Sequence, residues 1–122
     1  EINDLTGEVI GAAIEVHKAL GPGLLESIYE ECICIELHLR EIAYEGQKTV
    51  PIEYKGVGLD SAYRLDLVVA NKLIVELKAC ENIEPIHEAQ LLTYLKLTDT
   101  KVGLLINFNV PVLKDGITRL VN

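Results

Sequence analysis

Tyr63-Arg64-Leu65-Asp66-Leu67-Val68-Val69, then Ala70-Asn71-Lys72, then Leu73-Ile74-Val75-Glu76-Leu77-Lys78-Ala79 is the stretch on which the reading of this chain turns. Two apolar runs of strand length flank a short connection, as in strands buried in a sheet. Each run nevertheless carries charge in its middle: Asp66 in the first, Glu76 and Lys78 in the second. An unpaired buried charge costs several kcal/mol, so charges placed there need a partner or a task. Successive strand side chains alternate between faces, which puts Glu76 and Lys78 on one face. A hairpin centred on Asn71 sets Asp66 opposite Glu76 on that face. Opposed residues of an antiparallel pair have Cβ atoms roughly 5 Å apart.

Two carboxylates at that separation repel unless a cation lies between them or one takes a proton. Convergent oxygen ligands in small number suit Mg²⁺ or Mn²⁺, which keep several waters. Lys78, two residues beyond Glu76, is placed to hold a phosphate oxygen or a metal-bound water. The pattern reads as a site for metal-assisted phosphodiester hydrolysis. The competing explanation is an edge strand with one wet face and a surface ion pair, which contributes little.

The length of 122 residues expects a single domain, 1–122, with room for a core. No apolar run approaches the ~18 residues of a membrane span. No basic leader followed by an apolar segment is seen, and the opening Glu1 in place of Met is read as the loss of a few native residues. Cys32, Cys34 and Cys80 form no paired framework, which expects a reducing, cytoplasmic setting and buried packing roles. Three cysteines also fall short of the four that usually hold an iron–sulfur cluster.

The formal charge of −8 sits awkwardly with a nucleic-acid enzyme. Its distribution resolves part of the conflict. Residues 1–46 hold ten acidic and two basic residues, whereas 47–122 hold nine of each. The acidity belongs to the helical half and the candidate site to the neutral half. The chain has no broad basic stripe for tight nonspecific DNA binding.

Apolar residues at three-and-four spacing predict a helix from Asp4 to Leu20, ended by Gly21-Pro22-Gly23. A second helix is expected over about Leu25 to Ile42, with Leu25, Ile28, Cys32, Ile35 and Leu39 on its buried face and Tyr29 alongside. Thr49 to Tyr54 reads as an edge strand because of Pro51, and Tyr54-Lys55-Gly56 turns the chain. The two charged strands follow. Pro85 near a first turn predicts a third helix to about Leu97. Lys101 to Phe108 reads as a buried strand, with a short strand at Ile117 to Val121. The order α-α-β-β-β-α-β implies an α/β (α+β) fold, a mixed central sheet flanked by helices.

The third helix contains Gln90-Leu91-Leu92-Thr93-Tyr94, with Gln90 and Tyr94 on one face. Gln90 could position a phosphate or the lysine; the plain alternative is a solvated Gln90 and a Tyr94 packed at the core rim. Glu26, in the first turn of the second helix, suits the helix dipole there and is also a candidate metal ligand. His87 lies three residues before Gln90, and His17 and His38 have no evident partners. A Cys80–His87 thiol hydrolase lacks an orienting third group. Gly21-Pro22-Gly23 lacks the lysine and hydroxyl residue of a phosphate-binding loop.

Gly23-Leu24-Leu25-Glu26-Ser27-Ile28-Tyr29 resembles the signature of the GxxExxY protein family. Asp66, Glu76-Leu77-Lys78 and Gln90-x-x-x-Tyr94 resemble, in order, the motifs of the PD-(D/E)XK nuclease superfamily to which that family is assigned. The glutamine–tyrosine pair is similar to that of RecB-type nucleases. The resemblance runs from about Asn3 to the C-terminus. It implies a restriction-endonuclease-like core and Mg²⁺ or Mn²⁺ held by Asp66, Glu76 and the Leu77 carbonyl. It implies Lys78 acting on the attacking water and the phosphate, Glu26 near the metal, and Gln90 and Tyr94 in support.

The expected activity is therefore that of a nuclease, a hydrolase of nucleic-acid (DNA or RNA) phosphodiester bonds. The rival expectation is a non-catalytic protein-interaction module on the same fold, which the acidic first half favours. A homodimer or an unidentified protein partner is compatible with either, and no membrane association is expected. Five Tyr and one Phe argue against an extensive base-stacking platform.

Overall fold

The computed structural model describes residues 1–122. Helix α1 spans Ile2–Leu20, with the Glu1 carboxylate accepting the Asp4 N–H at its start. Helix α2 spans Glu26–Leu39. Strands β1 (Tyr44–Tyr54), β2 (Val57–Val69) and β3 (Leu73–Lys78) precede helix α3 (Pro85–Leu97). Strand β4 (Val102–Asn107), a 3₁₀ turn (Leu113–Gly116) and strand β5 (Ile117–Val121) complete the chain. The strands form one sheet in the order β1-β2-β3-β4-β5. All neighbours are antiparallel except β3 and β4, which are parallel and joined through α3. This is the expected mixed sheet, with β1 at the edge that Pro51 forecast.

The β3 side chains sort the layers. Leu73, Val75 and Leu77 join the larger apolar cluster with α1 and α2. Ile74 points the other way, into a smaller cluster with Leu91 and Leu95 of α3. Glu76 and Lys78 share the parity of Ile74. The sheet is thus sandwiched between α1–α2 and α3.

Helix α2 buries a different face from the one expected. Tyr29, Ile33 and Leu37 are buried, while Leu25, Ile35 and Leu39 are 73%, 59% and 69% exposed. The Tyr29 ring explains the rotation. It stacks on Phe108 at 4.4 Å and 10°. Its hydroxyl donates to the Gly21 carbonyl at 2.6 Å and accepts the Leu24 N–H at 3.1 Å. One buried aromatic with a satisfied hydroxyl contributes about 2–3 kcal/mol, and Ile33 and Leu37 are buried on the same face. His17, without an evident partner in the sequence, is buried beside Phe108 and donates through Nε2 to the Val110 carbonyl at 2.8 Å.

The β1–β2 hairpin is longer than the sequence suggested, because β2 begins at Val57 rather than Tyr63. Lys55 and Gly56 both have positive φ, 50° and 80°. That is the two-residue turn that matches the twist of paired strands. Only Leu67, Val68 and Val69 of β2 pair with β3. The remainder of β2 pairs with β1 alone.

Candidate active site

The β2–β3 ladder pairs Val69 with Leu73, Val68 with Ile74 and Leu67 with Val75. This is the register centred on Asn71. The next row is Asp66 and Glu76, and there the main-chain ladder gives way to side chains. Glu76 Oε1 accepts the Asp66 N–H at 3.2 Å. Asp66 Oδ2 accepts the Leu77 N–H at 2.8 Å. Each carboxylate uses one oxygen on a backbone donor, and neither has an ion-pair partner.

Glu76 is only 7% exposed. Burial pushes its carboxyl up, and the charge of Asp66 and a hydrogen bond to that side chain push the same way; the result is about 9. The Asp66 N–H and the Lys78 ammonium pull in the opposite direction with smaller effect. Glu76 is therefore favoured in its protonated form at neutral pH. A divalent cation would take the place of that proton. No third His, Cys, Asp or Glu joins the two in a ready-made cluster. Two carboxylates with one uncommitted oxygen each fit a cation that retains most of its water.

Lys78 ends β3 and is partly exposed opposite Asn107 of β4. Its strand end is fastened from β4. The buried Asn107 amide donates to the Cys80 carbonyl at 2.9 Å, and its oxygen accepts the Cys80 N–H at 3.1 Å. That oxygen also accepts the Asn109 N–H at 3.2 Å. Phe108 N–H reaches the Lys78 carbonyl at 2.9 Å. Gly116 lies so close that a methyl group there would collide with the Asn107 carbonyl oxygen. Sequence reading passed over Asn107, although a polar residue ending an apolar strand beside an Asn-Phe-Asn run was a signal.

The other candidates are distributed around this row. Tyr94 is half-buried on α3 and stacks on Tyr63 at 4.7 Å and 7°. Burial pushes its phenol up, and the charges of Glu76 and Asp66 add to the effect, so it stands near both. The Tyr63 hydroxyl is buried without a partner. Gln90 is exposed one turn earlier on α3. His87 serves α3 itself, its Nδ1 accepting the Glu84 N–H at 2.9 Å in a capping box.

Glu26 is exposed at the first residue of α2. One turn on, Glu30 is half-buried and accepts the Gln47 side-chain amide at 2.7 Å. Gly46 pairs with Leu67 and Lys48 with Leu65, so Gln47 lies opposite Asp66. Burial pushes Glu30 up against the hydrogen bond from Gln47, and the charges of Asp66 and Glu26 also raise it. The row thus runs Glu30, Gln47, Asp66, Glu76. Glu30 was legible only as the residue four after Glu26.

A mixed sheet between helical layers, with an aspartate and a Glu-x-Lys at the fork of two strands, defines a restriction-endonuclease-like protein. A model of the PD-(D/E)XK nuclease superfamily matches residues 3–120, and the chain belongs to that superfamily. No curated protein and no solved structure matches it. No helix is long and apolar enough to cross a membrane.

Proposed function

We propose that the protein is a metal-dependent nuclease of the GxxExxY type, acting on nucleic-acid phosphodiester bonds in the cytoplasm. The observation that carries this reading is the Asp66–Glu76 pair, Glu76 buried and Asp66 half-buried, at a fork in the sheet with no ion-pair partner. A structural carboxylate pair would be expected to come with a compensating arginine or lysine contact.

Asp66 and Glu76 would hold Mg²⁺ or Mn²⁺, with the Leu77 carbonyl as a further ligand and Glu26 reaching it through water. A strand residue directs its N–H and C=O to the same edge. The Leu77 N–H meets Asp66, which supports the Leu77 carbonyl opening on the same gap. The bound ion would supply a hydroxide nucleophile at neutral pH and offset charge developing on the phosphate. Lys78 would donate to the nonbridging phosphate oxygen and orient the attacking water. Gln90 and Tyr94 would steady the substrate phosphate from α3. The free thiols of Cys32, Cys34 and Cys80 accord with a reducing compartment.

The test is Mn²⁺ binding by calorimetry, followed by cleavage assays on single- and double-stranded DNA and RNA. The expected result is one Mn²⁺ site that Glu76→Ala removes, with cleavage lost in the same variant. Folded protein that binds no Mn²⁺ at millimolar concentration, with or without nucleic acid, would overturn the reading. The acidic α1–α2 layer favours a second reading, a non-catalytic interaction module, which expects no cleavage of any substrate.

A further inference from the structure

We infer that the outer face of α2, with the groove between α1 and α2, is a docking surface for a basic amphipathic helix of another protein. Leu25, Ile28, Cys32, Ile35 and Leu39 recur at three-four-three-four spacing, the seam pattern of paired helices. The core is filled from α2 by Tyr29, Ile33 and Leu37; of the seam residues only Cys32 also packs against it. Single exposed leucines are ordinary on a protein surface, but an in-register stripe along one helix marks an interaction site. Beside the stripe, Val16, Ala19 and Leu20 of α1 meet Cys32 and Ile35 across a groove of about 310 Å³. Grooves of this kind receive the anchor side chains of an incoming helix.

Charge selects the occupant. Glu15 and Glu36 line the groove, and Glu31 borders the seam. Residues 1–46 carry only Lys18 and Arg40 against ten acidic residues. Arg40 is already held by Glu8 at 2.9 Å and Glu36 at 3.5 Å. A second copy would set Glu31 and Glu36 against like charges, over a seam of only about two heptads, too short to outweigh the repulsion. Nucleic acid is repelled outright. A helix with apolar seam residues and flanking Lys or Arg complements both the groove and its rim. Glu30, which faces the Asp66 row, lies on the opposite side of α2 from the seam, so docking leaves that row uncovered.

The probe is a labelled synthetic helix of roughly three heptads with Leu at the seam positions and Lys beside them. Anisotropy titration against the full chain is expected to show micromolar binding that weakens roughly tenfold or more in high salt. Ile35→Glu, at an exposed position that leaves the fold intact by circular dichroism, should weaken binding by the same factor. A peptide of scrambled order and one with Glu for Lys should not bind. Absent binding, equal binding of the scrambled peptide, or indifference to Ile35→Glu would overturn the inference. So would a dimer in sedimentation that Ile35→Glu abolishes, since the occupant would then be a second copy.

Discussion

Glu76 accepts the backbone N–H of Asp66 at 3.2 Å, while Asp66 accepts that of Leu77 at 2.8 Å. Side-chain oxygens take these two N–H groups where the β2–β3 pairing ends. The sheet is thereby closed by the same groups that its chemistry would use. Holding them there has a cost, because burial and Asp66 together raise the Glu76 carboxyl to about 9.

That rise sets the pH dependence of folding. The folded state retains a proton on Glu76 that the unfolded chain releases at its ordinary value near 4.5. The native state therefore binds more protons across this window, and stability falls as pH rises through it. Glu76→Gln should flatten the dependence and stabilise the apo-protein at pH 7 by about 1–3 kcal/mol. Urea unfolding at several pH values checks this.

Divalent metal should reverse the sign. Binding needs the carboxylates deprotonated, so Mn²⁺ should raise the melting temperature more as pH increases. Asp66→Asn should abolish the effect. Thermal melts with and without millimolar Mn²⁺ between acid and mildly basic pH decide the matter.

Lys78 sits beside the carboxylate pair without an ion-pair contact to either group. Lys78→Met should leave Mn²⁺ binding within a few-fold of wild type. Under the nuclease reading it should lower the cleavage rate by about 10²–10³. Calorimetry and single-turnover kinetics on one preparation separate the two effects.

Asn107 serves two chain segments at once, so its loss should be felt in both. Asn107→Ala leaves the Cys80 N–H and carbonyl and the Asn109 N–H without partners. The expected destabilisation is about 2–4 kcal/mol. Gly116→Ala, which drives a methyl into the Asn107 carbonyl, should cost about as much. Denaturant titration of the two variants measures both.

The Tyr63 hydroxyl is buried and unpartnered. Tyr63→Phe should therefore stabilise the protein by about 1 kcal/mol while keeping the stack on Tyr94. An unchanged or lower melting temperature would mean that the hydroxyl is satisfied by solvent.

The register of the β2–β3 hairpin was legible because a one-residue slip would turn Leu67, Val69 and Val75 out of the core. The crossover through α3 followed from the Glu84-Pro85 start. The orientation of α2 was not legible. Leu25-Ile28-Cys32-Ile35-Leu39 and Tyr29-Ile33-Leu37 both satisfy helical spacing, and only the distant Phe108 chooses between them. The candidate row was half legible for the same reason. Asp66 and Glu76 are ten residues apart in one hairpin, whereas Glu30 and Gln47 join the row from two other elements and Asn107 braces the Lys78 strand end from a third. Contacts that span the whole chain leave no local period to read.

The long β1–β2 hairpin has a mechanical consequence. Beyond Tyr63 its two strands are held by each other alone, and an isolated two-stranded ribbon is marginal in water. Its tip at Lys55-Gly56 is therefore a low-stability unit that opens without global unfolding, with fast amide exchange there and slow exchange at Leu67 to Val69. The boundary falls at Asp66, where β2 passes from one neighbouring strand to two. The protein carries a pliant clasp on a stiff hinge, and bending of the clasp is arrested at the row that holds the carboxylates.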